Sequence, residues 1–171
     1  MRPSRSPIPR AFRALGPAPV WIAVSGVGVA AAIAYVSLSG GPEPAPNGAS
    51  AACGEVVDRS PGEILGSERT SAGSEGTVQW GDGLITLRCG VKEPEPTVNL
   101  CVHVEEVDWV LDEGRLNRDG VSRMTTYGRA PAVEVTFSGP KEEAVGAVAE
   151  LSGAVSWIEQ GAKCVGAGDV S

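Results

Sequence analysis

The stretch Thr77-Val78-Gln79-Trp80-Gly81-Asp82-Gly83-Leu84-Ile85-Thr86-Leu87-Arg88-Cys89-Gly90-Val91 decides the fold. Two β-branched runs, Thr77–Trp80 and Leu84–Val91, flank a Gly-Asp-Gly tight-turn signal, so the chain doubles back here as an antiparallel pair. Working outward, Val98–Val104 and Val107–Leu111 are further short strand-like runs. Val133, Val135 and Phe137 alternate with Glu134, Thr136 and Ser138, the period of a half-buried strand. A helix follows, with Pro140 suited to its first position, Glu142 and Glu143 to its first turn and Gly161 to its end. Its apolar stripe is Val148, Leu151, Val155 and Ile158, which would lie on the sheet. Strands first and one long helix late predict an α+β fold, a small antiparallel sheet packed by one C-terminal helix. No internal repeat is visible.

Four cysteines, Cys53, Cys89, Cys101 and Cys164, all fall in this region. An even number outside the cytoplasm predicts two disulfides. If Leu84–Val91 and Val98–Val104 form a hairpin around Lys92–Thr97, Cys89 lies opposite Cys101, and Cys53 is left to pair with Cys164. A four-thiolate zinc site is disfavoured because the sequence has no C-x-x-C pair, so no metal and no cofactor is expected.

The compartment is read from the other end of the chain. The first thirteen residues carry Arg2, Arg5, Arg10 and Arg13 and no acid, and no charge follows until Glu43. Within that gap Val20–Leu38 is nineteen residues of almost unbroken apolar or small character. As a helix it spans roughly 28 Å, close to the hydrocarbon thickness of a bilayer. Trp21 and Tyr35 lie near its ends, as interfacial rings do. We therefore expect a basic cytoplasmic N-terminus over 1–18, a transmembrane helix over 19–38 contacting the lipid bilayer, a Pro/Gly/Ala linker over 39–52, an extracytoplasmic domain over 53–165 and a tail over 166–171. The alternative is a cleaved signal peptide and secretion, with Ser37 and Ser39 near the cut, although a signal core is usually only about 7–15 residues long. A lipoprotein fits less well, because Cys53 lies far beyond the apolar core. Gly26, Ala30 and Ala34 have small-xxx-small spacing, as in packed membrane helices.

Charge narrows the function. Of 171 residues, 14 are Lys or Arg and 21 Asp or Glu, giving −7, and after Arg13 ten basic side chains face all 21 acids. Such a body repels phosphate, which argues against a nucleic-acid partner. The apolar fraction of 42% against 20% charged argues against disorder.

Catalytic patterns are thin. His103, the sole histidine, would face Leu87 in the expected hairpin, with Glu105 on its own face, and reads more simply as a strand histidine packing its ring. Ala72-Gly73-Ser74-Glu75-Gly76 and Ser138-Gly139-Pro140-Lys141 match hydrolase letters without the required context. The run Glu105, Glu106, Asp108, Asp112, Glu113 lacks ordered calcium-loop spacing and reads as a solvated acidic edge. What remains is Trp80, Arg88, Trp109, Tyr127 and Arg129 beside turns, residue types that anchor interfaces but equally fill small cores.

At these residues the chain resembles a known family. Trp80-Gly81-Asp82 with Leu87-Arg88-Cys89-Gly90-Val91, then Val107-Asp108-Trp109, then Thr125-Thr126-Tyr127-Gly128-Arg129-x-Pro131-Ala132-Val133-Glu134-Val135 are similar to three blocks of the actinobacterial domain of unknown function family 3515. Ser60–Thr70 departs from that pattern except at Pro61-Gly62-Glu63 and Arg69. The resemblance covers about residues 50–165 and implies a small envelope protein with one N-terminal hydrophobic segment. It implies no activity. The expectation is thus a non-enzymatic binding or structural module whose partner is an envelope protein or a cell-wall component, met through Trp80, Arg88, Trp109, Tyr127 and Arg129. The alternative is a carbohydrate-acting or other hydrolase using Asp82 and Asp108 as paired carboxylates.

Overall fold

The structure is a computed structural model, and it describes residues 42–70 and 74–165. The expected transmembrane segment over 19–38, the basic N-terminus and the tail lie outside those residues. Among the described residues no helix is long and apolar enough to cross a membrane.

Eight strands form one antiparallel sheet: β1 Glu63–Ile64, β2 Ser67–Thr70, β3 Thr77–Trp80, β4 Ile85–Val91, β5 Cys101–Val104, β6 Val107–Leu111, β7 Ser122–Thr126 and β8 Ala132–Phe137, in the order β1-β2-β3-β4-β8-β7-β6-β5. The expected hairpin holds: β3 pairs with β4 from Thr77↔Arg88 to Trp80↔Ile85 around Gly81–Gly83. Among the described residues three α-helices accompany the sheet: α1 Ala51–Arg59, α2 Glu113–Asp119 and α3 Ala144–Val155. The α+β, antiparallel expectation therefore stands for the domain.

Alternation assigns the two faces. Ile85, Leu87, Cys89, Val133, Val135, Phe137, Trp109 and Leu111 point to one side, where α1 and α3 cover them. The stripe Val148, Leu151, Val155 and Ile158 is buried on them as the sequence predicts. The helix itself is shorter than expected. A 3₁₀ turn occupies Lys141–Glu143 before α3 begins, and α3 stops at Val155 rather than running to Gly161. Burying Leu151 and Phe137 in this layer stabilises the fold by about 2 kcal/mol each.

Five elements were not legible: α1, α2, β7 and the paired strands β1 and β2. Ser50 caps α1, its side chain accepting from the Cys53 amide, and places Cys53 and Val56 on one buried stripe. The described part of the expected linker packs on the domain. Ala45 is buried, the Asn47 amide donates to the Gly90 carbonyl at 3.1 Å and Arg88 Nε donates to the Glu43 carbonyl at 2.9 Å. Gly90 has a positive φ of 85°, and any Cβ there would strike the Asn47 backbone, so only glycine lets this segment dock.

The disulfide pairing corrects the expectation. The bonds are Cys53–Cys89, with Cα atoms 5.4 Å apart, and Cys101–Cys164, with Cα atoms 6.2 Å apart, not Cys89–Cys101 and Cys53–Cys164. The assumed hairpin does not exist. β4 and β5 run parallel with β8, β7 and β6 between them, so they sit about 19 Å apart, far beyond disulfide reach. Cys89 also faces the helices, whereas Cys101 shares the other face with its partner Val110. Residues 92–100, with their two prolines, are a crossover and not a turn. Because the helices occupy one face, this strap returns diagonally over the other.

Candidate functional site

The uncovered face is built by the same alternation that builds the core. Arg88 of β4 stands opposite Glu134 of β8, which stands opposite Thr125 of β7, which stands opposite Val110 of β6. Arg123 lies one step along β7 on this face. Glu134 is only 8% exposed. Arg88 Nη1 donates to its Oε1 at 3.2 Å, and Arg123 Nε stands 3.5 Å from Oε2, an ion pair without hydrogen-bond geometry. A buried carboxylate requires such partners, since removing them would leave a charge without solvation.

The strap roofs this bed. Lys92, Pro94 and Asn99 face Arg88, Arg123 and Glu134 across a cleft of about 420 Å³. Beside it, sharing Asn99 and Val110, the strap's Val98 and Leu100 close a second and more apolar cleft of about 700 Å³ over Tyr127. Val98 and Leu100 are both exposed, so the strap presents apolar side chains to solvent beside the charged cleft. Leu100 is tied down through its amide, which donates to Glu113 at 3.2 Å.

A third cleft, of about 500 Å³, lies at the β5 edge. There the Glu105–Glu106 turn reverses the chain with positive φ at both residues, so β5 and β6 pair His103 with Asp108. His103 therefore faces Asp108 and not Leu87. Its Nδ1 is 2.7 Å from Asp108 Oδ1, while Oδ2 accepts from Gln160 Nε2 at 2.8 Å and from the Cys164 amide at 2.9 Å. Burial opposes the Asp108 charge, but the hydrogen bonds from His103, Cys164 and Gln160 outweigh it and hold the carboxyl below the ordinary aspartate range. Arg129 is buried next to it. Its Nη1 donates to the Ser156 and Ile158 carbonyls and its Nη2 to the Glu106 carbonyl, which fastens the chain after α3 to the β5–β6 turn. Burial pulls the Arg129 pKa down, and the Asp108 charge offsets only part of that.

The expected binding residues thus divide. Trp80 and Trp109 are fully buried on the helix-covered side. Trp80 donates to the Pro61 carbonyl at 3.0 Å, and Trp109 Nε1 has no partner among the described residues. Neither indole is an exposed anchor, and Arg129 is an internal brace. Only Arg88 and Tyr127 line the clefts under the strap, and the structure brings them to adjoining ones. The carboxylate pair fails on geometry. Asp82 is exposed in the β3–β4 turn, while Asp108 is buried three strands away at the opposite end of the sheet, roughly 20 Å off. The acidic run is also dispersed: Glu105 and Glu106 form a turn, Asp108 faces inward, and Asp112 caps α2 by accepting from the Arg115 amide.

Sequence reasoning missed Arg123, Glu134 and Gln160. Glu134 had a signal, because its outward phase between Val133 and Val135 matches that of Arg88 between Leu87 and Cys89. Arg123 and Gln160 had none, since neither lies in a run with a visible period.

Fold and site define a disulfide-tied α+β domain with one face covered by helices and a charged, strap-roofed cleft on the other. The chain belongs to DUF3515, described as a protein of unknown function, whose family model matches residues 18–163. Neither the curated proteins nor the solved structures contain a match.

Proposed function

We propose that this chain is a membrane-anchored, extracytoplasmic binding module of an actinobacterial cell envelope, and that it holds an envelope protein or cell-wall component under the 92–100 strap. The observation that carries this reading is the cleft in which Arg88, Arg123 and Glu134 form a charged floor beside the exposed Val98 and Leu100 of the adjoining apolar cleft. A floor of opposed charges beside an apolar lip suits a partner that is amphipathic rather than purely anionic. The location is supported by two disulfides, which persist in oxidising compartments, and by the apolar Val20–Leu38 stretch behind four arginines. The resemblance to single-pass envelope proteins supports it further.

Two experiments test the proposal. Alkaline phosphatase fused after Ser171 should be active in cells and pellet with membranes; an inactive fusion would refute the topology. Arg88→Glu together with Arg123→Glu should abolish a crosslink made from a photoreactive residue at Asn99, with the disulfides still formed. An unchanged crosslink would remove the cleft from the binding site.

A further inference from the structure

A second feature adjoins the apolar strap cleft, which Cys101, Lys163 and Cys164 also line, but it does not rest on the binding reading. The two disulfides occupy different environments. Cys53 and Cys89 are fully buried between α1 and β4. Cys101 and Cys164 are part-exposed and both line the 500 Å³ cleft at the β5 edge, together with His103, Asp108, Gln160, Glu106 and Lys163.

The cleft also holds the groups that thiol chemistry requires. Asp108 is the hub, since one oxygen meets the His103 ring and the other meets the Cys164 amide. An ionised Asp108 against Nδ1 keeps the proton there and turns the basic lone pair of Nε2 away from the carboxylate. His103 is free to use it, because its side chain is 68% exposed. Cys101 is two residues from His103 on β5 and shares its face. Lys163 adds positive charge, which favours a thiolate, against the carboxylates of Glu106 and of Asp108, the latter already engaged by His103, Gln160 and the Cys164 amide.

We propose that Cys101–Cys164 is a thiol–disulfide exchange site whose substrate is an external dithiol and whose general base is His103. In the first step Nε2 takes the proton of the incoming thiol, and the thiolate attacks Sγ of Cys164. The Cys101–Cys164 bond breaks, and Cys101 leaves as a thiolate that recovers the proton from His103. The second thiol of the same molecule then attacks the mixed disulfide and releases Cys164. Two electrons pass from the dithiol, which leaves as a disulfide, to Cys101 and Cys164, which become thiols. Asp108 acts as a positioning residue by orienting His103 and the Cys164 amide. Exchange leaves the segment after α3 held by the hydrogen bonds of Arg129, Gln160, the Gly161 amide and the Cys164 amide.

The test uses the full oxidised chain at neutral pH with limiting dithiothreitol, alkylation of freed thiols and peptide mass analysis. Cys101 and Cys164 should be alkylated well before Cys53 and Cys89. His103→Gln should slow their release roughly tenfold, because only a few per cent of an ordinary thiol is ionised at neutral pH. Asp108→Asn should slow it in the same direction. With trifluoroethanethiol, a more acidic thiol, formation of the mixed disulfide on Cys164 should be nearly insensitive to His103→Gln. Simultaneous alkylation of all four cysteines would overturn the proposal. So would a His103→Gln rate unchanged with dithiothreitol, or slowed equally with both thiols.

Discussion

The two faces of the sheet are written by one alternating pattern and serve different ends. On the helix-covered face, outside β7, most inward residues are large and apolar, and the layer of Trp80, Trp109, Phe137 and Leu151 excludes water. On the other face the intervening residues are Arg88, Glu134, Arg123 and Thr125, covered only by an irregular strap. The first face stores stability in packing, where every lost methylene is felt. The second holds its charges in mutual pairs, so part of its side-chain chemistry can face a partner. Each strand contributes to both, and a substitution two residues away on the same strand should produce the same kind of effect.

The largest effect that could break this division is on the covered face. Trp109→Ala should destabilise the domain by about 3–5 kcal/mol, read by denaturant unfolding, through lost transfer energy and the cavity left behind. A loss below about 1 kcal/mol would mean the layer is not the core. On the open face Arg88→Ala should cost about 1–3 kcal/mol, because it strands one oxygen of buried Glu134. Arg88→Ala combined with Glu134→Gln should recover part of that loss, whereas no change at either step would show that the pair contributes nothing.

The pH dependence separates Asp108 from both faces. Its carboxyl is held below the unfolded value of about 3.9, so the unfolded chain binds the proton first as acid is added. Its stabilisation is complete above that value and disappears as pH falls through the lower native one. Asp108→Asn should therefore flatten the acid limb of the stability profile. Unaltered acid unfolding would contradict the assigned hydrogen bonds. The smallest effect is at the β5–β6 turn, where Glu105 and Glu106 have φ of 44° and 68°. Asn at 105 with Gly at 106 suits that turn and should raise stability by about 1 kcal/mol. A decrease would show that the glutamates make compensating contacts.

What could be read from sequence follows the same division. β3, β4, β6, β8 and the α3 stripe were legible because each carries two or more apolar residues in one phase. β7 has only Met124 as a large apolar residue, flanked by Ser122 and Thr126, so its period was invisible. α1 hid in a stretch rich in Ala, Gly and Pro because its buried side is just Cys53 and Val56. The disulfides were counted correctly and paired wrongly. Counting needs only composition, whereas pairing depends on the order β4-β8-β7-β6-β5, and no local signal in residues 92–100 tells a crossover from a hairpin. The candidate site was half legible. Of the residues singled out beside turns, Arg88 and Tyr127 line the strap clefts, but Trp80, Trp109 and Arg129 lie inside, because side-chain type does not reveal which phase of a strand faces the helices.

The most direct measurement places a photoreactive residue at Asn99, on the strap, and separately at Val145, exposed on α3 behind the covered face, in the full chain in its native cells. A binding surface under the strap predicts a discrete adduct from Asn99 and none from Val145. An adduct from Val145 alone, or from neither position, would contradict it.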